Sequence, residues 1–310
     1  MFARVLFATD FSPASDRALD CLVRWKRFGL TKVTLAHVHD VHTAGGLEGP
    51  LRREDEPKID RQASVVTDRG LWASTRVEVG IPYFDLDRIA REEGCEAIVI
   101  GSHGASWLAE VMIGSIADAV LRHSTFPVFV IKANYLAGLT EGECEEACTS
   151  LFTDILFATD LSPESEGALA LVERLCRKYR STVRLLHVIE TKGVWMPHIA
   201  GYHAAVLPLV KASLDALANA LTAAGASSVA VDVIREHRVR GILHEIETRK
   251  PGLVVLGRHG HGHLAELLVG STSHGVARLS PRPVLVVPRL RVLPEMLSPG
   301  EPAVAANNDA

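Results

Sequence analysis

Residues 5–19 read VLFATDFSPASDRAL, and residues 155–169 read ILFATDLSPESEGAL. The passage is written twice, 150 positions apart. The offset holds at Val33-Thr34-Leu35-Ala36-His37-Val38 against Val183-Arg184-Leu185-Leu186-His187-Val188. Further on it becomes 156. Ala97-Ile98-Val99-Ile100-Gly101-Ser102-His103-Gly104 matches Leu253-Val254-Val255-Leu256-Gly257-Arg258-His259-Gly260, and Phe126-Pro127-Val128-Phe129-Val130 matches Arg282-Pro283-Val284-Leu285-Val286. Six extra residues in the middle of the second copy account for the change. The chain is a tandem duplication of a unit of about 135–140 residues, an ordinary domain size. We divide it into a first domain at 1–133, a linker at 134–150, a second domain at 151–289 and a loose tail at 290–310.

Within each unit, apolar runs of strand length alternate with helical patterns. In the first copy the runs fall at 4–8, 33–38, 76–79, 97–100 and 128–131. Ser12-Pro13 and Ser162-Pro163 read as an N-cap followed by proline at the first helical position. Ala14, Ala18, Leu22 and Trp25 then recur at helical spacing, as do Ala168, Val172 and Leu175. Strand–helix alternation implies right-handed crossovers and a parallel sheet covered on both faces. The fold class is therefore α/β: two tandem Rossmann-like domains, each a five-stranded parallel sheet sandwiched by helices. The stretch 40–62, with Gly45-Gly46, Gly49-Pro50 and a run of charges, reads as a mobile loop before the second helix.

Composition agrees. Of 310 residues 47% are hydrophobic and only 5% aromatic, as suits an aliphatic core of buried parallel strands. Lys and Arg number 33 against 37 Asp and Glu, a net charge of −4, which speaks against nucleic acid as a partner. No apolar run reaches the roughly 18–20 residues of a membrane span. Met1 leads straight into the first strand, with no signal-peptide pattern. The five cysteines form no disulfide framework, and a cytoplasmic protein is the natural reading.

In open α/β sheets ligands bind at the carboxyl ends of the strands, at the topological switch point. Three pieces of each repeat converge there. Thr9-Asp10 and Thr159-Asp160 end the first strand, and Val38 and Val188 end the second. After the fourth strand comes a glycine loop. It is Gly101-x2-Gly104-x9-Gly114-Ser115 in one copy and Gly257-x2-Gly260-x9-Gly270-Ser271 in the other. Glycines let backbone N–H groups approach a phosphate, and the following helix N-terminus adds open donors and a positive dipole end. The loop is neither a Walker A nor the GxGxxG fingerprint.

These residues resemble the universal stress protein family in its tandem two-domain form. The resemblance rests on Ala8-Thr9-Asp10-x-Ser12, Gly101-Ser102-His103-Gly104 through Gly114-Ser115, Leu121-Arg122-His123-Ser124 and Pro127-Val128, and spans 2–289. Members with this glycine pattern bind ATP. The resemblance implies ATP with Mg²⁺ as ligand. Asp10 and Asp160 would meet the adenine or ribose, and Val38 and Val188 would contact adenine through backbone groups. The glycines Gly101, Gly104, Gly114, Gly257, Gly260 and Gly270 with Ser115 or Ser271 would hold the phosphates, and Ser102, His103, Ile116, Arg258, His259 and Thr272 would lie beside the nucleotide. It further implies pairing of the last strands, 128–132 and 284–288, and allows a homodimer.

The second copy departs from the pattern. Gly80-Ile81-Pro82 has no counterpart near His237-Arg238, and Ser271-Thr272-Ser273-His274-Gly275 carries a glycine inside a helix and no acid matching Asp118. Asp10 has a second reading as a cap for the helix behind it. Its recurrence in both copies favours ligand contact. His259-x-His261-x-His263 is poorly arranged for a metal; Cys144 and Cys148, at i, i+4, could form a two-ligand metal site or a redox pair but read as incidental thiols of a solvated linker helix, and no metal is expected. His37 and His187 read as structural, hydrogen-bonded histidines. The expected function is nucleotide-dependent regulation of a stress response. The alternatives are a slow ATPase, with Glu110 or Glu266 orienting water, and a structural module with a vestigial second site.

Overall fold

The structure, a computed structural model, describes residues 1–46, 48–102, 114–132, 150–190, 199–260 and 270–289. The first repeat runs β1 (Arg4–Ala8), α1 (Pro13–Leu22), β2 (Lys32–Asp40), α2 (Val41–Ala44), α3 (Glu48–Asp68), β3 (Trp72–Gly80), α4 (Pro82–Glu92), β4 (Ala97–Ser102), α5 (Ser115–His123) and β5 (Val128–Lys132). The second runs β6 (Asp154–Ala158), a 3₁₀ turn at Pro163–Ser165, α6 (Glu166–Tyr179), β7 (Thr182–Glu190), α7 (Ile199–Ala223), β8 (Ser228–Glu236), α8 (Arg238–Arg249), β9 (Leu253–Gly257), α9 (Ser271–Leu279) and β10 (Val284–Val287). All five expected strands of the first repeat are present, each longer than or equal to its apolar run.

Capping chemistry sets the helix starts. Ser12 caps α1: its side-chain oxygen accepts the Ser15 N–H at 3.2 Å, and Pro13 takes the first helical position. Ser162 makes no such bond, and the chain passes through the 3₁₀ turn before α6 begins.

The two repeats share one ten-stranded sheet in the order β3-β2-β1-β4-β5-β10-β9-β6-β7-β8. Pairing is parallel inside each repeat and antiparallel at the seam, where Val130, Phe129 and Val128 oppose Val284, Leu285 and Val286. Phe129 and Leu285 are equivalent positions, 156 apart, so the pseudo-twofold axis passes through that pair. The antiparallel seam also puts the carboxyl ends of the two repeats' strands on opposite edges of the sheet.

One face of the seam gathers six aromatic rings, Phe2, Trp25, Phe28, Phe129, Phe152 and Tyr179. Phe129 lies 5.0 Å from Phe2 and 4.8 Å from Trp25, while Phe152 lies 5.4 Å from Trp25 and stacks on Tyr179 at 5.2 Å. Tyr179 and Lys178 both donate to the Phe28 carbonyl at 2.8 Å. These residues come from both repeats and are buried in one apolar cluster with the aliphatic strand residues.

The stretch 40–62 is not a mobile loop. It folds as α2 and most of α3. Asp40 caps α2 by accepting the His42 N–H at 2.9 Å, and Gly45 and Gly46 end it at φ 57° and 80°. In α3, Asp55, Ile59, Gln62 and Val66 form one buried helical face, while Arg52–Glu56 and Lys58–Glu54 pair at i,i+4 on the outside. The charge run is the outer face of this helix, and the polar residues inside its buried stripe hide the amphipathic signal.

Candidate functional site

In each repeat the first strand has neighbours reached by crossovers in opposite directions: β1 lies between β2 and β4, and β6 between β7 and β9. The switch points are therefore where Thr9-Asp10 and Thr159-Asp160 emerge. The Thr9 N–H donates to the Ala36 carbonyl and the Thr159 N–H to the Leu186 carbonyl, both at 3.0 Å, and the ladders end there. Backbone groups of a parallel strand alternate between its two neighbours. Val38 and Val188, two residues past the last pair, therefore turn their N–H and C=O toward the gap left by β1 and β6.

The turn after each strand is built identically. The Thr9 and Thr159 hydroxyls accept the N–H groups of Phe11 and Leu161, at 3.0 and 3.1 Å. Phe11 and Leu161 sit at φ 60° and 63°, a left-handed conformation that costs a non-glycine residue about 1 kcal/mol or more. Strain kept in both copies marks a loop held to one shape. Oδ1 of Asp10 accepts from the Ser12 N–H at 3.0 Å and the Ser15 hydroxyl at 2.5 Å, and Oδ1 of Asp160 accepts the Ser162 N–H at 3.1 Å. One oxygen of each carboxylate thus braces the helix entrance.

Close approach explains Gly260 but not Gly101, where a Cβ would meet only ordinary van der Waals contacts. A Cβ on Gly101 would sit 3.5 Å from Ala18 Cβ and 3.7 Å from Ser15 Cα, and one on Gly257 3.4 Å from Ser165 Cα. Both strands therefore end flush against the helix that follows the first strand. A Cβ on Gly260 would lie 2.1 Å from Oδ2 of Asp160, so Gly260 stands directly over that carboxylate. The loop base is closed by the Gly270 N–H and the Ser273 hydroxyl, which donate to the Arg258 carbonyl at 2.9 and 2.8 Å. Gly114 and Gly270 are N-caps without a side chain, so the first-turn amides of α5 and α9 keep no intrahelical partner. Ser115, Ile116 and Ser271 are exposed there, and Thr272 is half-buried. Ser102 closes β4. His103, Gly104, Glu110, His261, His263, Glu266, Cys144, Cys148 and the tail at 290–310 lie outside the described residues.

Arg258, expected beside the nucleotide, is engaged across the seam. Its guanidinium crosses the seam to the Ser124 carbonyl at the end of α5, with Nε donating to His259 Nε2 at 3.0 Å. Burial there pushes its pKa down. Reciprocally, Lys132 donates to the Ala277 and Arg278 carbonyls at the end of α9, at 2.6 and 3.0 Å. Burial pushes its ammonium down to about 8. Each of these helices thus begins at its own repeat's cleft and ends on a cation from the other repeat, where the dipole favours positive charge. Gly275, the glycine inside α9, is also accounted for: a Cβ there would meet Val239 of α8 at 3.0 Å.

His37 and His187 are the hydrogen-bonded histidines expected, their Nδ1 atoms 2.7 and 2.9 Å from the Thr9 and Thr159 carbonyls. Sequence reasoning missed their surroundings in the first repeat. His39 Nε2 lies 2.7 Å from Oδ2 of Asp55, and His37 Nε2 lies 3.7 Å from the same oxygen. Burial opposes the charge of Asp55, but bonds from Lys58 and His39 outweigh it and hold the carboxyl below its usual pKa. Burial pulls the His37 pKa down. The signal was available: on a strand, residues i and i+2 share a face, so His37-x-His39 is a pair where a helical His-x-His is not.

The sequence model of the Universal stress protein family matches residues 1–132 and 152–288. Universal stress protein MJ0577 of Methanocaldococcus jannaschii is 29% identical over 155 residues, covering 43% of this chain and 96% of that protein. A universal stress protein of Mycolicibacterium smegmatis is 25% identical over 303 residues, 91% of this chain and 96% of the relative. Among solved structures, a universal stress protein from Archaeoglobus fulgidus superimposes with a TM-score of 0.71 at 23% identity, covering 93% of this chain and 99% of that one. At that identity the likeness is one of fold.

Proposed function

The chain belongs to the universal stress protein family, and from that premise we propose that it binds ATP with Mg²⁺ in its two switch-point clefts and acts as a nucleotide-dependent regulator. The observation that carries this reading is the closure of Gly260 over the Asp160 carboxylate, beside the open N-terminus of α9. A glycine loop against a strand-end acid and uncapped amides is a cradle for a phosphorylated, hydroxylated ligand. In the second cleft the amides of Gly260, Gly270 and Ser271 would take the phosphates, Asp160 the ribose hydroxyls, and Val188 the adenine edge. In the first, Gly114, Ser115, Asp10 and Val38 hold the corresponding places. Mg²⁺ would neutralise the phosphates, which suits a site beside which the Arg258 guanidinium is turned to the seam.

No disulfide joins Cys21, Cys95 and Cys176 among the described residues, and we place the chain's action in a reducing cytoplasm. No helix among the described residues is long and apolar enough to cross a membrane.

The test is mass spectrometry of whatever the purified chain releases on acid denaturation, with stoichiometry, followed by a thermal scan with ATP–Mg²⁺. Saturation at 100 times Kd adds about 2.7 kcal/mol and a measurable rise in Tm. Protein that releases no adenine nucleotide and ignores ATP–Mg²⁺ overturns the proposal.

A further inference from the structure

Behind the first cleft, between β2 and α3, two imidazoles and a carboxylate converge. Nε2 of His37, Nε2 of His39 and Oδ2 of Asp55 all lie within 4.8 Å of one another, the one such group of three among the described residues. We propose that they form a three-ligand Zn²⁺ site, completed by water.

Four features support it. First, the three side chains are fixed by regular structure: both histidines face α3 from one strand, and Asp55 faces back from the buried stripe of that helix. Only 13%, 19% and 6% of their side-chain surfaces are exposed, so the approach is narrow and the ligands have little freedom to lose. Second, His37 already has its outer partner. A carbonyl oxygen can only accept, so Nδ1 carries the proton toward Thr9 at 2.7 Å and Nε2 of the neutral ring presents a lone pair to the cluster. Third, the spacing fits. Tetrahedral Zn²⁺ with bonds of about 2.0–2.1 Å sets its ligand atoms roughly 3.3 Å apart, between the 2.7 and 3.7 Å seen here. Fourth, two imidazoles and one carboxylate are a Zn²⁺ donor set rather than a Ca²⁺ or Mg²⁺ one.

Binding exchanges a hydrogen bond for the metal. The hydrogen bond between His39 Nε2 and Asp55 breaks, the neutral His39 ring carries its one proton on Nδ1, and Zn–N and Zn–O bonds take the place of that hydrogen bond. Lys58 holds the other carboxylate oxygen, Oδ1, at 2.8 Å and keeps it out of the site. The second repeat lacks the set, because Ile189 stands where the 150-residue offset places the partner of His39. The site thus belongs to one repeat alone, and through Thr9 it grips the turn that carries Asp10.

The test uses the full chain, without a histidine tag and stripped with EDTA. Titration with Co²⁺ should give the intense visible bands of a tetrahedral ion with imidazole and carboxylate ligands, at one per chain, and Zn²⁺ should abolish them. His39→Ile, which copies the second repeat, and Asp55→Asn should each weaken Zn²⁺ binding by on the order of 100-fold or more. Circular dichroism identifies any variant that fails to fold, and the other variant then decides. Wild-type protein with no tetrahedral Co²⁺ spectrum, or folded variants that bind as tightly as wild type, overturn the proposal. Because the readout is the metal's own spectrum, it stands or falls apart from nucleotide binding.

Discussion

Asp118 of α5 and His274 of α9 occupy equivalent positions of the two repeats, 156 residues apart, and hydrogen-bond to each other across the seam. Arg122 completes the group: its Nε donates to Asp118 at 2.8 Å, and a second nitrogen lies 3.3 Å from His274 Nε2. The missing acid noticed in the second copy is therefore not a defect of its cleft. It is the complement of the acid in the first copy, placed where the two helices meet.

His274→Asp would set two carboxylates face to face. We expect a loss of about 1–2 kcal/mol at low salt, shrinking near 1 M salt, where charges are screened within roughly 3 Å. Urea denaturation at the two ionic strengths measures this. An equal loss at both would show that packing, not charge, holds the helices together.

Asp118 also carries a pH signature. Burial opposes its charge, but Arg122 and His274 outweigh it and hold its pKa below the ordinary 3.8. Its contribution is complete above that value and is lost as pH falls through the lower folded value. The stability gap between wild type and Asp118→Asn should therefore be steady at neutral pH and close on acidification.

Lys132 behaves in the opposite sense. The unfolded chain keeps this proton up to the ordinary 10.5, whereas the native protein releases it at about 8. Between the two values the unfolded state binds more protons, so stability rises with pH, by up to about 3 kcal/mol. Lys132→Met has no such group. Its deficit relative to wild type should grow between pH 7.5 and 10 in paired thermal scans, and a constant deficit would refute the assignment.

Gly260→Ala separates ligand binding from folding. Its Cβ would meet a carboxylate oxygen of Asp160 at 2.1 Å, which is the end of a side chain and can swing away. We expect Tm to change by no more than a few degrees while nucleotide affinity of the second cleft falls at least about tenfold, a loss of about 1.4 kcal/mol. Calorimetric titration distinguishes the two clefts.

Phe152→Ala tests the aromatic seam. The ring is 1% exposed and touches rings from both repeats. Removing it should cost about 3–5 kcal/mol in chemical denaturation. A loss below about 1 kcal/mol would show that the repeats do not depend on this cluster.

The duplication, the parallel strands and the convergence of Asp160 with Gly260 were all readable from spacing, because each follows from a local period or a repeated string. What escaped has a common cause. α3 was lost because Asp55 and Gln62 interrupt its apolar stripe, so its helical period is visible only once its buried face is known. Arg258 was read as a nucleotide-binding residue because it stands in a glycine loop; its partner, the Ser124 carbonyl, is 134 residues away and belongs to the other repeat. The meeting of Asp118 with His274 requires knowing that an axis passes between two helices. Local pattern does not encode it.

The antiparallel pairing of Val130 with Val284 makes the protein two-headed. Its clefts lie at opposite rims of a single sheet, facing away from each other. A molecule built this way can hold two bodies apart at a set distance, as a spacer does, and each rim presents its own version of the mouth. The first is backed by two imidazoles and a carboxylate; in the second, Ile189 stands beside His187 in place of the other imidazole.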